Sequence, residues 1–131
     1  MTYGMSTTLD RPFDDTVTAV REALAGEGFG VVSEIDMQAT LRTRLGVETD
    51  AYLILGACNP AYAHRSLQAD PSIGLLLPCN VVIRRTDTGT VVEMINPQML
   101  VEVTDNPDMQ PIAQEVSDRL AAAMTTLNTA A

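Results

Sequence analysis

A chain of 131 residues with 46% hydrophobic side chains is long enough to bury a core and too apolar to be disordered, so one domain over 1–131 is expected. Its formal net charge of −9, with eight arginines and no lysine, repels phosphate backbones and anionic headgroups and excludes nucleic acid as an expected partner. No apolar run approaches the roughly 18 residues that span a bilayer, no basic segment leads a hydrophobic stretch, and two cysteines do not make a secreted disulfide framework, so a cytoplasmic protein with reduced thiols and no membrane is expected.

Residues Thr2 to Leu9 alternate weakly and predict a first strand, at a sheet edge because the apolar face is thin. Asp10-Arg11-Pro12 predicts a helix start with Asp10 as cap and Pro12 in the first turn. Phe13, Val17, Val20 and Leu24 then share one helical face, and Gly26-Glu27-Gly28 ends the helix. Phe29 to Ile35 reads as a second strand with Phe29, Val31, Ser33 and Ile35 on one side. Asp36 caps a short helix carrying Met37, Leu41 and Leu45 on one face, with Arg42 and Arg44 in its last turn and Gly46 closing it.

Tyr52 to Cys58 is apolar on both faces and predicts a central strand, with Tyr52, Ile54, Gly56 and Cys58 on one side and Leu53, Leu55 and Ala57 on the other. Asn59 caps the next helix, opened by Pro60, with Ala63 and Leu67 as its inner face and Asp70-Pro71 as its end. Gly74 starts an apolar run, and regular pairing begins after Pro78, placing Cys79, Val81 and Ile83 opposite Asn80, Val82 and Arg84. Thr86 to Gly89 turns the chain into a hairpin whose return strand is Val91 to Ile95. Three prolines make Gln98 to Pro111 read as a loop with a short extended piece at Leu100 to Val103, Met99 and Met109 folding over the core. Ile112, Val116, Leu120, Ala123 and Leu127 mark one stripe of a long C-terminal helix.

Chemistry concentrates between Leu53 and Ile83, which holds both cysteines, each followed by asparagine, and the sole histidine. Cys58 stands where a strand gives way to a helix, so unpaired helix N–H groups favour its thiolate; a small buried hydrophobe at a tight turn is the plainer reading. Cys79 approaches Cys58 if the third and fourth strands pair. Their separation of twenty-one residues is neither a redox Cys-x-x-Cys nor a zinc knuckle, and a disulfide, a metal and an unlinked pair stay open. A metal scheme would join Cys58, Cys79, His64 and Glu93, but no metal ligand is assigned. Asn59, His64, Asn80 and Glu93 are the candidate ligand-binding residues, against helix capping for Asn59 and simple solvent exposure for His64.

Three enzyme types fail on spacing or inventory. Cys58 to Arg65 is Cys-x6-Arg, one residue longer than a tyrosine-phosphatase loop, and lacks the glycines that aim amides at phosphate. In Gly56-Ala57-Cys58-Asn59-Pro60 a proline replaces the second glycine of a nucleophile elbow, and no histidine follows His64 to serve as base. There is no Gly-x-Gly-x-x-Gly, and no lysine for a Walker motif. The residues identify no cofactor, and they leave open whether the protein is an enzyme.

Leu55-Gly56-Ala57-Cys58-Asn59-Pro60 with Leu75-Leu76-Leu77-Pro78-Cys79-Asn80-Val81, together with Gly28-Phe29-Gly30-Val31 and Glu34-Ile35-Asp36, resembles the small bacterial and archaeal family known as domain of unknown function 302. The resemblance covers nearly the whole chain. It implies an α+β fold similar to the TATA-binding-protein class, a curved antiparallel sheet of about five strands on a long C-terminal helix, and a homodimer; it implies no activity. The expectation is therefore a thiol-based redox or ligand-responsive module in which Cys58 is the nucleophile and Cys79 the second sulfur. The alternative is a non-catalytic homodimeric module binding a small apolar ligand or a protein partner, suggested by the adaptable thioethers of Met94, Met99 and Met109.

Overall fold

A computed structural model describes residues 3–129. Five strands form one open antiparallel sheet in the order β1-β5-β4-β3-β2, where β1 is Gly4–Leu9, β2 Gly30–Asp36, β3 Tyr52–Cys58, β4 Cys79–Thr86 and β5 Gly89–Ile95. The helices are α1 Phe13–Gly26, α2 Met37–Leu45, α3 Pro60–Ala69, α4 Gln98–Thr104 and α5 Met109–Thr129, with a 3₁₀ turn at Pro71–Leu76 before β4. Thr2 of the expected first strand lies outside the described residues.

Alternation along the three central strands sorts the sheet into two faces. Leu53, Leu55, Ala57, Val81, Ile83, Val92 and Met94 point inward and are buried. Against them pack Val20 and Leu24 of α1 and Met109, Ile112, Val116, Leu120, Ala123 and Leu127 of α5, so the apolar stripes of both helices lie in the core. The outer face carries Tyr52, Ile54, Val82 and Glu93 and is only half covered, with α2 lying over its β3 end. The stripe of Met37, Leu41 and Leu45 accordingly contributes no buried residue.

Several local expectations are corrected. Asp10 does not cap α1; Pro12 occupies that position, and its carbonyl accepts both the amide of Thr16 at 3.0 Å and the Thr16 hydroxyl at 2.9 Å. The Thr90 hydroxyl meanwhile donates to the Arg11 carbonyl at 2.8 Å, pinning this connection to β5. In β2, the second edge strand of the sheet, a bulge between Val31 and Ser33 leaves Val32 unpaired and 65% exposed, which breaks the expected alternation. The inner face of α3 is Tyr62, Ala63 and Ser66, whereas Leu67 is exposed.

The expected loop at Gln98–Pro111 is α4 followed by the start of α5. Its prolines stand at helix beginnings, where a missing N–H costs nothing: Pro97 caps α4, Pro107 lies in the turn two residues before α5, and Pro111 sits in the first turn of α5. Asn96 supports the first of these starts by accepting the Gln98 amide at 3.1 Å. Among the described residues no helix is long and apolar enough to cross a membrane.

Candidate functional site: a cleft bearing two thiols

The two Cys-Asn steps lie side by side because β3 pairs with β4, with Ala57 opposite Cys79 and Gly56 opposite Asn80. Strict alternation would send Cys58 outward with Gly56 and Cys79 inward with Ala57. Both strands reach their termini here, however, and the two cysteines line one cleft of about 270 Å3. Phe29 of the α1–β2 connection, Tyr62, Ala63 and Ser66 of α3, Leu77, Leu100 of α4, and Ile112 and Val116 of α5 complete its wall. Both cysteines are free thiols and half-buried.

Two glycines hold the corners of this cleft. Gly28, at φ +84°, ends α1, and the Asn59 amide nitrogen lies 2.9 Å from where a Gly28 Cβ would stand. Asn59 is thereby seated to cap α3, its Oδ1 accepting the amides of Ala61 at 3.2 Å and Tyr62 at 3.5 Å. Gly56 plays the same part for the second step: a Cβ there would fall 2.5 Å from Pro78 Cγ and would also collide with Ser33 Oγ. Without a side chain on Gly56 the Pro78 ring settles onto the sheet, fixing the backbone that leads into Cys79.

The Ser66 and Tyr62 hydroxyls and the Asn59 side-chain oxygen of the wall have partners. Ser66 Oγ donates to the Tyr62 carbonyl at 2.8 Å, and Asn59 Oδ1 is engaged in its cap. The Tyr62 hydroxyl accepts from Arg119 Nε at 3.0 Å, while Arg65 and Arg119 lie 5.6 and 5.8 Å from the ring centroid. That hydrogen bond also raises the Arg119 pKa. Among the described residues neither thiol has a hydrogen-bond partner. Burial, reinforced by the charge of Cys58, pushes the Cys79 thiol up to about 11, so it is protonated at neutral pH.

The remaining candidates are dispersed. His64 is exposed on α3. Asn80 and Glu93 face the opposite side of the sheet, where they line a separate groove of about 220 Å3 with Tyr52 and Val82. There Glu93 Oε1 accepts from Arg84 Nε at 2.8 Å, a bond that raises the Arg84 pKa. The set Cys58, Cys79, His64 and Glu93 is therefore not assembled, and no three His, Cys, Asp or Glu side chains gather into a metal-binding group among the described residues. Sequence reasoning missed Leu100 and Val116 as walls of the cleft. Met99 lines a second cleft of about 280 Å3 that shares the wall Leu77, Pro78, Cys79 and Leu100 with the first.

Comparison with known proteins adds a family and a fold. A family model described as domain of unknown function DUF302 matches residues 5–127. The crystal structure of an uncharacterized conserved DUF302 protein from Bacillus stearothermophilus is similar to this chain, with a TM-score of 0.89 and 28% identity over 96% of this chain and 98% of that one. No curated protein matches.

Proposed function

Because the chain belongs to the DUF302 family, whose description names no activity, its chemistry has to come from its own residues, and we propose that it is a thiol-bearing module for a small apolar ligand. The observation that carries this reading is the cleft itself: a mostly apolar wall that holds both thiols, neither of which has a hydrogen-bond partner among the described residues. Its size selects the ligand class. About 270 Å3 exceeds the roughly 150 Å3 that holds benzene and falls short of the roughly 300–1,000 Å3 of drug-sized sites. A compact, mostly apolar molecule fits, with Cys58 and Cys79 positioned to contact it or to respond to it.

In this reading Cys58, at the strand-to-helix step, is the sulfur that reacts first, and Cys79, protonated at neutral pH, is the second sulfur. Asn59 contributes by fixing the step through its cap. His64, Asn80 and Glu93 stand apart from the cleft and have no part in it. A reducing compartment, the cytoplasm, would keep both thiols free as this reading requires. A homodimer formed through the half-covered outer face, with Ile54 and Val82 at its centre, completes the proposal; sedimentation of the purified protein at monomer mass would refute that part.

Benzene is the test ligand. It is expected to shift the methyl resonances of Ala57, Leu77, Ile112 and Val116 and to slow alkylation of Cys58 by iodoacetamide. Saturating benzene that does neither overturns the reading.

A further inference from the structure

Eight arginines stand among seventeen acids in this chain, and five of the eight have a glutamate or tyrosine partner. Arg11, Arg44 and Arg85 have no ion pair or side-chain hydrogen bond among the described residues. Two of these, Arg11 and Arg85, line one cleft of about 400 Å3 at the opposite end of β4 from Cys79. Thr90 brings them together: it stands directly opposite Arg85 in the β4–β5 ladder, and its hydroxyl donates to the Arg11 carbonyl at 2.8 Å.

We propose that Arg11 and Arg85 hold the phosphoryl group of a small phosphate monoester. Arg11 carries the stronger pull. It is half-buried, and its Nη1 is the buried side-chain nitrogen that has no hydrogen-bond partner among the described residues. A shielded cation without a counter-charge costs stability, and water screens it poorly, so an anion in the adjoining cleft gains more from it than from a solvated arginine. Arg85 is exposed and supplies the second charge.

The chemistry of the pair selects the anion. A guanidinium offers a planar fork of N–H donors that matches phosphoryl oxygens, and two positive charges balance the roughly −1.5 to −2 of a phosphate monoester, where a monocarboxylate would balance only one. The cleft volume of about 400 Å3 lies within the roughly 300–1,000 Å3 of small-molecule sites, which leaves room for the rest of the ester. Asp10 and Asp87 also line the cleft, exposed and paired with neither arginine. With the net charge of −9 they repel a polyanion such as nucleic acid or an anionic membrane, so the ligand is a small molecule carrying one phosphoryl group.

The test is a titration of the isotope-labelled protein with glycerol phosphate at constant ionic strength, followed through its amide NMR resonances. Saturable shifts are expected at Arg11 and at Thr86 to Thr90, with affinity lower by roughly tenfold or more in Arg11→Gln and in Arg85→Gln. Affinity should be unchanged in Arg44→Gln, whose arginine is equally unpaired but lies outside the cleft. Arg85 is exposed, so Arg85→Gln keeps the fold and the test holds even where Arg11→Gln does not fold. Acetate and inorganic phosphate are the comparison ligands, and both should bind more weakly than the ester. Acetate binding as tightly as glycerol phosphate overturns the phosphoryl assignment, and inorganic phosphate binding more tightly overturns the monoester. Absence of saturable shifts, or equal affinity in wild type and Arg85→Gln, overturns the site.

Discussion

Gly56→Ala is the sharpest test of how the thiol cleft is built. The new Cβ would lie 2.5 Å from Pro78 Cγ and would also strike Ser33 Oγ. These two contacts are not equal. Ser33 is exposed on an edge strand and its hydroxyl can rotate away at small cost. Pro78 is a closed ring next to the first residue of β4 and can yield only by moving the backbone that carries Cys79. Overpacking of this kind costs about 1–3 kcal/mol, and replacing a strand glycine by alanine returns about 0.5–1 kcal/mol of chain entropy. The net loss is about 1–2 kcal/mol, or a fall in Tm of roughly 3–12 °C for a chain of this size. Thermal melts and urea titrations of Gly56→Ala alone and combined with Ser33→Ala or Pro78→Ala separate the two contacts. Pro78→Ala should recover most of the loss relative to its own single variant, and Ser33→Ala almost none. Wild-type stability in Gly56→Ala, or rescue by Ser33→Ala, would refute the argument that glycine is present to seat the proline.

Other consequences are equally direct. With its thiol raised to about 11, Cys79 should react with iodoacetamide at pH 7 roughly 300 times more slowly than a free thiol of pKa about 8.5, and its rate should climb about tenfold per pH unit. A thiol whose folded pKa exceeds its unfolded value binds more protons when folded, so stability falls as pH rises from about 8.5 to about 11, by roughly 3 kcal/mol; urea titrations of wild type against Cys79→Ala should show this slope only in wild type. Asn59→Ala removes the α3 cap and should cost about 1 kcal/mol and change the Cys58 alkylation rate, while Asn80→Ala, on the outer face, should leave that rate alone. Glu93→Gln breaks a partly exposed ion pair, so it should cost less than about 1 kcal/mol and leave benzene binding unchanged. Leu120→Ala, at a fully buried position of α5, should cost about 2–5 kcal/mol in a urea titration.

Where the sequence was readable, the periodic signal and the burial had one cause. Val20 and Leu24 in α1, and Ile112 to Leu127 in α5, repeat at helical spacing because each helix presents one face to one sheet. Leu53, Leu55, Val81 and Ile83 likewise alternate because the inner sheet face is continuous. The misreadings occur where one residue type serves two opposite purposes. Proline breaks helices internally and opens them at the first turn, and nothing in Gln98 to Pro111 alone distinguishes a loop from two helix starts in succession. Glycine in β3 reads as a weakness in the strand, yet Gly56 exists for a neighbour twenty-two residues away whose ring needs its space. The bulge at Val32 has no local sign: Val31 and Val32 are both β-branched, and either suits a strand.

The cleft was legible as a place and not as a set. The repeated Cys-Asn step drew attention to Cys58 and Cys79, but the repetition suggests equivalent roles, and the structure gives the two asparagines different ones. Asn59 turns its carbonyl to the start of α3, whereas Asn80 faces the outer side of the sheet. The cysteines share one cleft for a reason that lies in neither dipeptide: β3 ends at Cys58 and β4 begins at Cys79 on adjacent, paired strands. Cys58 is the last residue of β3, still paired with Gly30 of β2 on its other side, and it lines the cleft from that strand end. His64 and Glu93 are placed differently: His64 is exposed on α3, and Glu93, paired with Val82 in β5, lines the groove on the opposite side of the sheet.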